Sequence, residues 1–153
     1  MHRMLVNQIM QRSVITIHPT ALAADAAQIM EEFGIRRLPV IDENDCLVGI
    51  VTDTDVLEAE TADRVLNSYE PGAEEEWLSV SDVMTHEVIT IDPQATVGEL
   101  AQQFIQHKIG GIPVMEVAPN HCNQRRLIGI VTETDIFRMI ADAWQAEQAK
   151  GRG

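Results

Sequence analysis

Apolar positions change period along two stretches of this chain, and the two stretches match. Val14-Ile15-Thr16-Ile17 and Val88-Ile89-Thr90-Ile91 are short β-branched runs closed by His18-Pro19 and Asp92-Pro93, which predicts strands ending in a turn. The spacing then lengthens to three or four. Leu22, Ala26, Ile29, Met30 and Phe33 predict a helix stopped by Gly34. Leu100, Phe104 and Ile105 predict its counterpart as a buried stripe, opened by the capping box Thr96-Val97-Gly98-Glu99. Two more strands are expected at Leu38-Pro39-Val40-Ile41 and Leu47-Val48-Gly49-Ile50-Val51, around the polar turn Asp42-Glu43-Asn44-Asp45. The second stretch repeats that order. A closing helix is expected from about Asp55 to Leu66 and again from about Asp135 to Ala149, the latter with Ile136, Phe137, Ile140, Ala143 and Trp144 as its apolar face.

The order β-α-β-β-α therefore occurs twice, which gives an α/β fold class of two pseudo-symmetric repeats packed as one module. Pro19 and Pro39 return 74 positions later as Pro93 and Pro113, whereas Gly49 returns 80 positions later as Gly129. The second copy thus carries about six extra residues, inside the polar stretch from Val117 to Arg126 where added length is tolerated. The expected division is 1–66 for the first repeat, 67–79 for an acidic linker and 80–149 for the second repeat. A half of about 70 residues buries a marginal core, so the halves are expected to share an apolar interface.

Charge narrows the function. The chain has 24 acidic and 11 basic residues, net −13, which argues against nucleic acid as a partner because phosphate neutralisation needs clustered Lys and Arg. Glu58, Glu60, Asp63, Glu70, Glu74, Glu75 and Glu76 gather around the linker and read as a solvated face. Basic residues gather at Arg12, Arg36-Arg37, Lys108 and Arg125-Arg126. Cys46 and Cys122 lack metal-ligand spacing and are too few for a disulfide scaffold, so free thiols in a reducing cytosol are expected. His2, His18, His86, His107 and His121 show no paired ligand spacing, and no metal site is expected. Met1 to Ile17 is interrupted by Arg3, Asn7, Gln8, Gln11 and Arg12 before a signal or membrane segment forms, so a soluble cytoplasmic protein with no membrane partner is expected.

The candidate chemistry lies in Gly49-Ile50-Val51-Thr52-Asp53-Thr54-Asp55 and its copy Gly129-Ile130-Val131-Thr132-Glu133-Thr134-Asp135. Glycine admits a ligand or another backbone at close range. Thr52 and Thr54 offer hydroxyls at a strand end, and the following helix start offers free N–H groups and its positive dipole end, a natural phosphate seat. Asp55 is acceptor-only when ionised and suits vicinal hydroxyls. Thr and Asp are equally favoured helix caps, so a purely structural role accounts for the same letters. No nucleophile, base and orienting group occur together and no Walker-type loop is present, so an enzyme is not expected.

Val80-Ser81-Asp82-Val83-Met84-Thr85, Val88-Ile89-Thr90-Ile91-Asp92-Pro93 and the Gly-Ile-Val-Thr-x-Thr-Asp corners together resemble a tandem pair of CBS domains, a Bateman module. The resemblance runs from about Val6 to Ala59 and from Val80 to Ile140. It implies two clefts between the repeats that commonly bind AMP, ADP, ATP or S-adenosylmethionine, with no required cofactor. It also implies that each cleft is mixed. Thr52, Thr54 and Asp55 would be completed by Ile109, Gly110 and Gly111, with Met84, Thr85 and His86 near the base. Thr132, Thr134 and Asp135 would be completed by backbone around Ile35, Arg36 and Arg37. On so acidic a chain an anion needs local positive charge, so the cleft with Arg36-Arg37 and Asp135 is expected to favour phosphorylated adenosine. The family resemblance implies homodimers that meet through helices. The expected function is a stand-alone regulatory module that senses an adenosine-containing ligand and modulates a separate protein. The alternative is a structural dimerisation module without bound nucleotide.

Overall fold

The computed structural model describes residues 1–67 and 78–151, and the linker positions Glu70, Glu74, Glu75 and Glu76 lie outside them. In chain order the first elements are α1 (Val6–Ile9), α2 (Ala23–Phe33), β1 (Arg37–Ile41), β2 (Leu47–Thr52) and α3 (Asp53–Asn67). They are followed by α4 (Val80–Val83), α5 (Val97–His107), β3 (Gly111–Val117), β4 (Arg125–Thr132) and α6 (Glu133–Gly151). These form two compact units that cut across the repeats. Unit 1 comprises Met1–Val14, Ile89–Pro119 and Arg125–Gly153; unit 2 comprises Ile15–Val88 and Asn120–Gln124. The lead-in of each repeat therefore belongs to the unit built on the other repeat.

The centre of unit 2 is the antiparallel pair β1–β2, running from Arg37 opposite Thr52 to Ile41 opposite Leu47, with a bulge at Val40/Ile41. Its core is Ile17, Ala26, Met30, Leu38, Val40, Val51, Val56 and Val80. Unit 1 repeats this with β3–β4, from Gly111 opposite Thr132 to Val117 opposite Arg125, and a bulge at Val114/Met115. Its core is Val6, Met10, Ile91, Leu100, Phe104, Ile112, Val114 and Val131. Most positions are the same ones 74 or 80 residues apart, but the valine of the lead-in helix comes from the other copy: Val80 in unit 2, Val6 in unit 1.

The lead-ins dock by backbone pairing, and this explains Gly49 and Gly129. Thr85 and Ile50 exchange N–H···O bonds of 2.8 and 3.0 Å, and Gln11 and Ile130 do the same at 2.8 and 3.0 Å. A Cβ on Gly129 would stand 2.9 Å from the Gln11 carbonyl oxygen, and one on Gly49 3.0 Å from that of Thr85. The close approach that glycine permits is thus used by another backbone. Helix α4 opens with a reciprocal cap in which Ser79 N–H donates to Asp82 Oδ2 at 3.0 Å and Asp82 N–H donates to Ser79 Oγ at 3.3 Å. The backbone and hydroxyl of Ser79 hold the Asp82 carboxyl below its usual range.

Several expectations are corrected. Val14–Ile17 and Val88–Ile91 are not full strands: each contributes one parallel bridge, Ile17 to Val40 and Ile91 to Val114, before His18-Pro19 or Asp92-Pro93 turns the chain away. Four-residue helices α1 and α4 precede them, unforeseen because one helical turn leaves no periodic signal. The capping box at Thr96 and Glu99 is present, with bonds of 3.1 and 3.2 Å. Ile105, expected in the buried stripe of α5, is 79% exposed, and Phe33 at the end of α2 is 56% exposed. The apolar face of α6 is likewise bare in this chain, with Phe137, Ile140 and Trp144 all exposed. Finally, Cys46 and Cys122 are not free thiols. They form a disulfide with 5.4 Å between their Cα atoms, because the insert of the second copy places the 3₁₀ turn Cys122–Gln124 against the β1–β2 turn of unit 2.

Candidate functional site

Each corner arises where a central strand runs without a loop into a helix: Thr52 ends β2 and Asp53 begins α3, Thr132 ends β4 and Glu133 begins α6. The first helical N–H is satisfied from the start of the partner strand. Asp53 N–H donates to Arg36 O at 2.9 Å, and Glu133 N–H donates to Gly110 O at 3.0 Å. Arg36 therefore lies beside the Asp55 corner within unit 2, and Gly110 beside the Asp135 corner within unit 1. Ile109, Gly110 and Gly111, expected to complete the Asp55 corner, fall in unit 1; Ile35, Arg36 and Arg37, expected to complete the Asp135 corner, fall in unit 2. Met84 and Thr85 do meet the Asp55 strand, through Gly49 and Ile50. His86 follows them and is exposed.

The two carboxylates share one anchor and differ in everything else. Thr52 N–H donates to Asp55 Oδ2 at 3.0 Å, while Asp55 N–H donates to Thr52 Oγ1 at 3.1 Å, so this threonine hydroxyl accepts as a cap. Oδ1 of Asp55 accepts no hydrogen bond among the described residues, and the side chain is half-buried. In the second corner Thr132 N–H donates to Asp135 Oδ2 at 2.8 Å and the Thr132 hydroxyl donates to the same oxygen at 3.2 Å. Gln11 Nε2 donates to Asp135 Oδ1 at 2.8 Å and Arg138 Nη1 donates to it at 3.2 Å. Asp135 is only 4% exposed. Thr54 and Thr134, one residue before each Asp, are exposed.

Gln11 and Arg138 were not anticipated from the sequence, yet the repeat held the signal. Gln11 stands 74 residues before Thr85, in matching lead-ins that share Val6/Val80 and Met10/Met84, and Arg138 stands 80 residues after Glu58. Two hollows accompany the helix starts. One of about 410 Å³ lies between α2 and α3 and is lined by Met30, Ile35, Thr54 and Leu57 together with the acids Glu31, Asp53 and Glu60. Its counterpart of about 330 Å³ is lined by Ala101, Phe104, Ile105, Glu133, Ile136 and Phe137. Neither includes the corner carboxylates, and the acids lining the first make it a poor seat for an anion.

A duplicated α/β hairpin unit with an acid-bearing helix start at the end of each central strand defines a class of paired modules. The chain belongs to the CBS domain family, whose profile matches residues 6–62 and 80–142. It is 30% identical over 135 residues to an L-aspartate semialdehyde sulfurtransferase of Methanocaldococcus jannaschii, covering 88% of this chain and 23% of the relative. The chain spans between 23% and 47% of the length of that enzyme and of another M. jannaschii relative, so the match concerns one region of longer proteins. Among solved structures it is similar to the CBS domain pair of protein MJ0100 in complex with 5′-methylthioadenosine and S-adenosyl-L-methionine, at 29% identity and TM-score 0.74, covering 91% and 97% of the two chains. It is also similar to CBSX2 in complex with AMP, at 25% identity and TM-score 0.72, covering 92% and 98%. Among the described residues no helix is long and apolar enough to cross a membrane.

Proposed function

We propose that this chain is a regulatory module that senses an adenosine-containing ligand, AMP, ADP, ATP or S-adenosylmethionine, at a strand-to-helix corner and passes the bound state to a separate protein. The observation that carries this reading is the Asp55 corner. A carboxylate with one oxygen that accepts no hydrogen bond among the described residues stands in the first turn of α3, beside Thr52 and Thr54. An acceptor-only group suits a ribose diol and the exposed Thr54 hydroxyl suits a phosphate, while the N–H groups of Asp53, Thr54 and Asp55 are already taken by Arg36 O, Asp53 Oδ1 and Thr52 Oγ1. Arg36, on the adjoining backbone, adds positive charge to an otherwise acidic chain. Adenosine ligands in two solved relatives support the class of ligand without choosing among its members.

Calorimetric titration and thermal unfolding with the four ligands test the reading. A ligand at 100 times its dissociation constant should stabilise the protein by about 2.7 kcal/mol, a rise of several degrees. No heat and no shift with any of them would remove the sensor reading. A second reading is favoured by the bare apolar face of α6, where Phe137 is 63% and Trp144 61% exposed: the chain forms a homodimer through its helices. Light scattering checks this, since Phe137→Glu with Trp144→Glu should give monomers.

A further inference from the structure

The two corners carry the same letters but not the same vacancy. A carboxylate offers about four acceptor positions. At Asp135 four donors fill them: Thr132 N–H and hydroxyl on Oδ2, Gln11 Nε2 and Arg138 Nη1 on Oδ1. At Asp55 one donor is present among the described residues, Thr52 N–H on Oδ2. The difference does not come from the scaffold. Lead-in residues Gln11 and Thr85 pair with Ile130 and Ile50 through the same two backbone hydrogen bonds, so both side chains leave from equivalent places. A glutamine there spans to the carboxylate; Thr85 is shorter by two heavy atoms and makes no bond to Asp55. One turn into the helix, Arg138 donates to Asp135 across i,i+3, whereas its counterpart Glu58 has nothing to donate and repels a carboxylate.

Resting on the adenosine reading above, we infer that Gln11 and Arg138 are specificity-determining residues that occupy the diol-binding position of Asp135, so that this chain takes one ligand, at Asp55. The Gln11 amide and the Arg138 guanidinium stand where two ribose hydroxyls would donate. A ligand at Asp135 must displace both, and a charge-assisted bond to a nearly buried carboxylate is among the stronger ones to break. Arg138 is 57% exposed and yields more readily, which leaves Gln11 as the principal occupant.

The test exchanges these residues between the copies and counts AMP bound per chain by equilibrium dialysis and calorimetry. The wild type should bind one AMP, and Asp55→Asn should weaken it at least tenfold while Asp135→Asn leaves it unchanged. Gln11→Thr with Arg138→Glu should bind two, the added one lost on Asp135→Asn. Merely disturbing the fold cannot create a second site. Thr85→Gln with Glu58→Arg should close the Asp55 corner and abolish binding. In the wild type, the Gln11 side-chain amide resonances should stay unmoved by saturating AMP. Two equal sites in the wild type, a single site that depends on Asp135, or one site in the Gln11→Thr, Arg138→Glu chain would each overturn the inference while leaving the sensor reading intact. Binding of none of AMP, ADP, ATP and S-adenosylmethionine by the wild type would instead remove that reading and this inference with it.

Discussion

The disulfide between Cys46 and Cys122 gives the largest single stability effect that the structure defines. The cysteines are 76 residues apart in sequence, and a cross-link of that span removes chain entropy from the unfolded state equivalent to about 4.5 kcal/mol at 25 °C. Native disulfides deliver roughly 2–5 kcal/mol on removal, so about 3–4 kcal/mol is the working figure. For a chain of 153 residues this means a melting temperature lower by roughly 6–16 °C. Few contacts replace the bond: among the described side chains, His121 Nε2–H donating to Asp45 O at 3.1 Å is the other tie between the insert and the β1–β2 turn. Urea unfolding of oxidised protein against the Cys46→Ala, Cys122→Ala variant measures the loss. The variant should also unfold with a steeper denaturant dependence, since its unfolded chain is less compact. Equal midpoints, or alkylation of both thiols in protein never exposed to reductant, would refute the reasoning. Disulfides persist in oxidising surroundings and are opened by cytosolic thiols, so alkylation of protein taken directly from cells also reports which state the chain adopts there.

Gly129→Ala should cost about 1–3 kcal/mol in urea unfolding, because its Cβ would meet the Gln11 carbonyl at 2.9 Å and that backbone is fixed by pairing with Ile130; an unchanged midpoint would refute the docking role assigned to this glycine. Lys108 caps α5 at φ 54°, the place Gly34 takes after α2 at φ 64°. Lys108→Gly should therefore stabilise by about 0.5–1 kcal/mol, the left-handed strain of an L residue exceeding the extra chain entropy of glycine. Asp82 has a lowered folded-state pKa, so its contribution to the α4 cap is complete above the ordinary carboxylate range and is lost as pH falls through the lower folded value. Titration of its side-chain carbon by NMR should show that depressed midpoint, raised only part of the way in Ser79→Ala, which removes the hydroxyl but keeps the backbone N–H that lowers it most.

What the sequence discloses here follows from where each determinant lies. The hairpins β1–β2 and β3–β4 and the helices behind them are legible because alternation and three-to-four spacing are local, and because each pattern occurs twice. Ile105, Phe33 and Phe137 show the limit of that signal: periodicity identifies an apolar face but not what covers it. The lead-ins are harder, since α1 and α4 are single turns and their partners Ile130 and Ile50 lie on the other copy's strand. The disulfide is harder still, because two cysteines in a chain of this length state nothing about the distance between them. The corners fall between these cases. Gly-Ile-Val-Thr-x-Thr-Asp locates both carboxylates, yet the groups that fill one and spare the other sit at Gln11 and Arg138, outside the repeated motif. Duplication preserves what the scaffold needs at both corners, namely the glycine for the crossing backbone and the threonine N–H that anchors each Asp. Divergence is free only at side chains around that anchor, so a functional difference between the copies must be sought in mismatched neighbours such as Gln11/Thr85 and Arg138/Glu58 rather than in the matching letters.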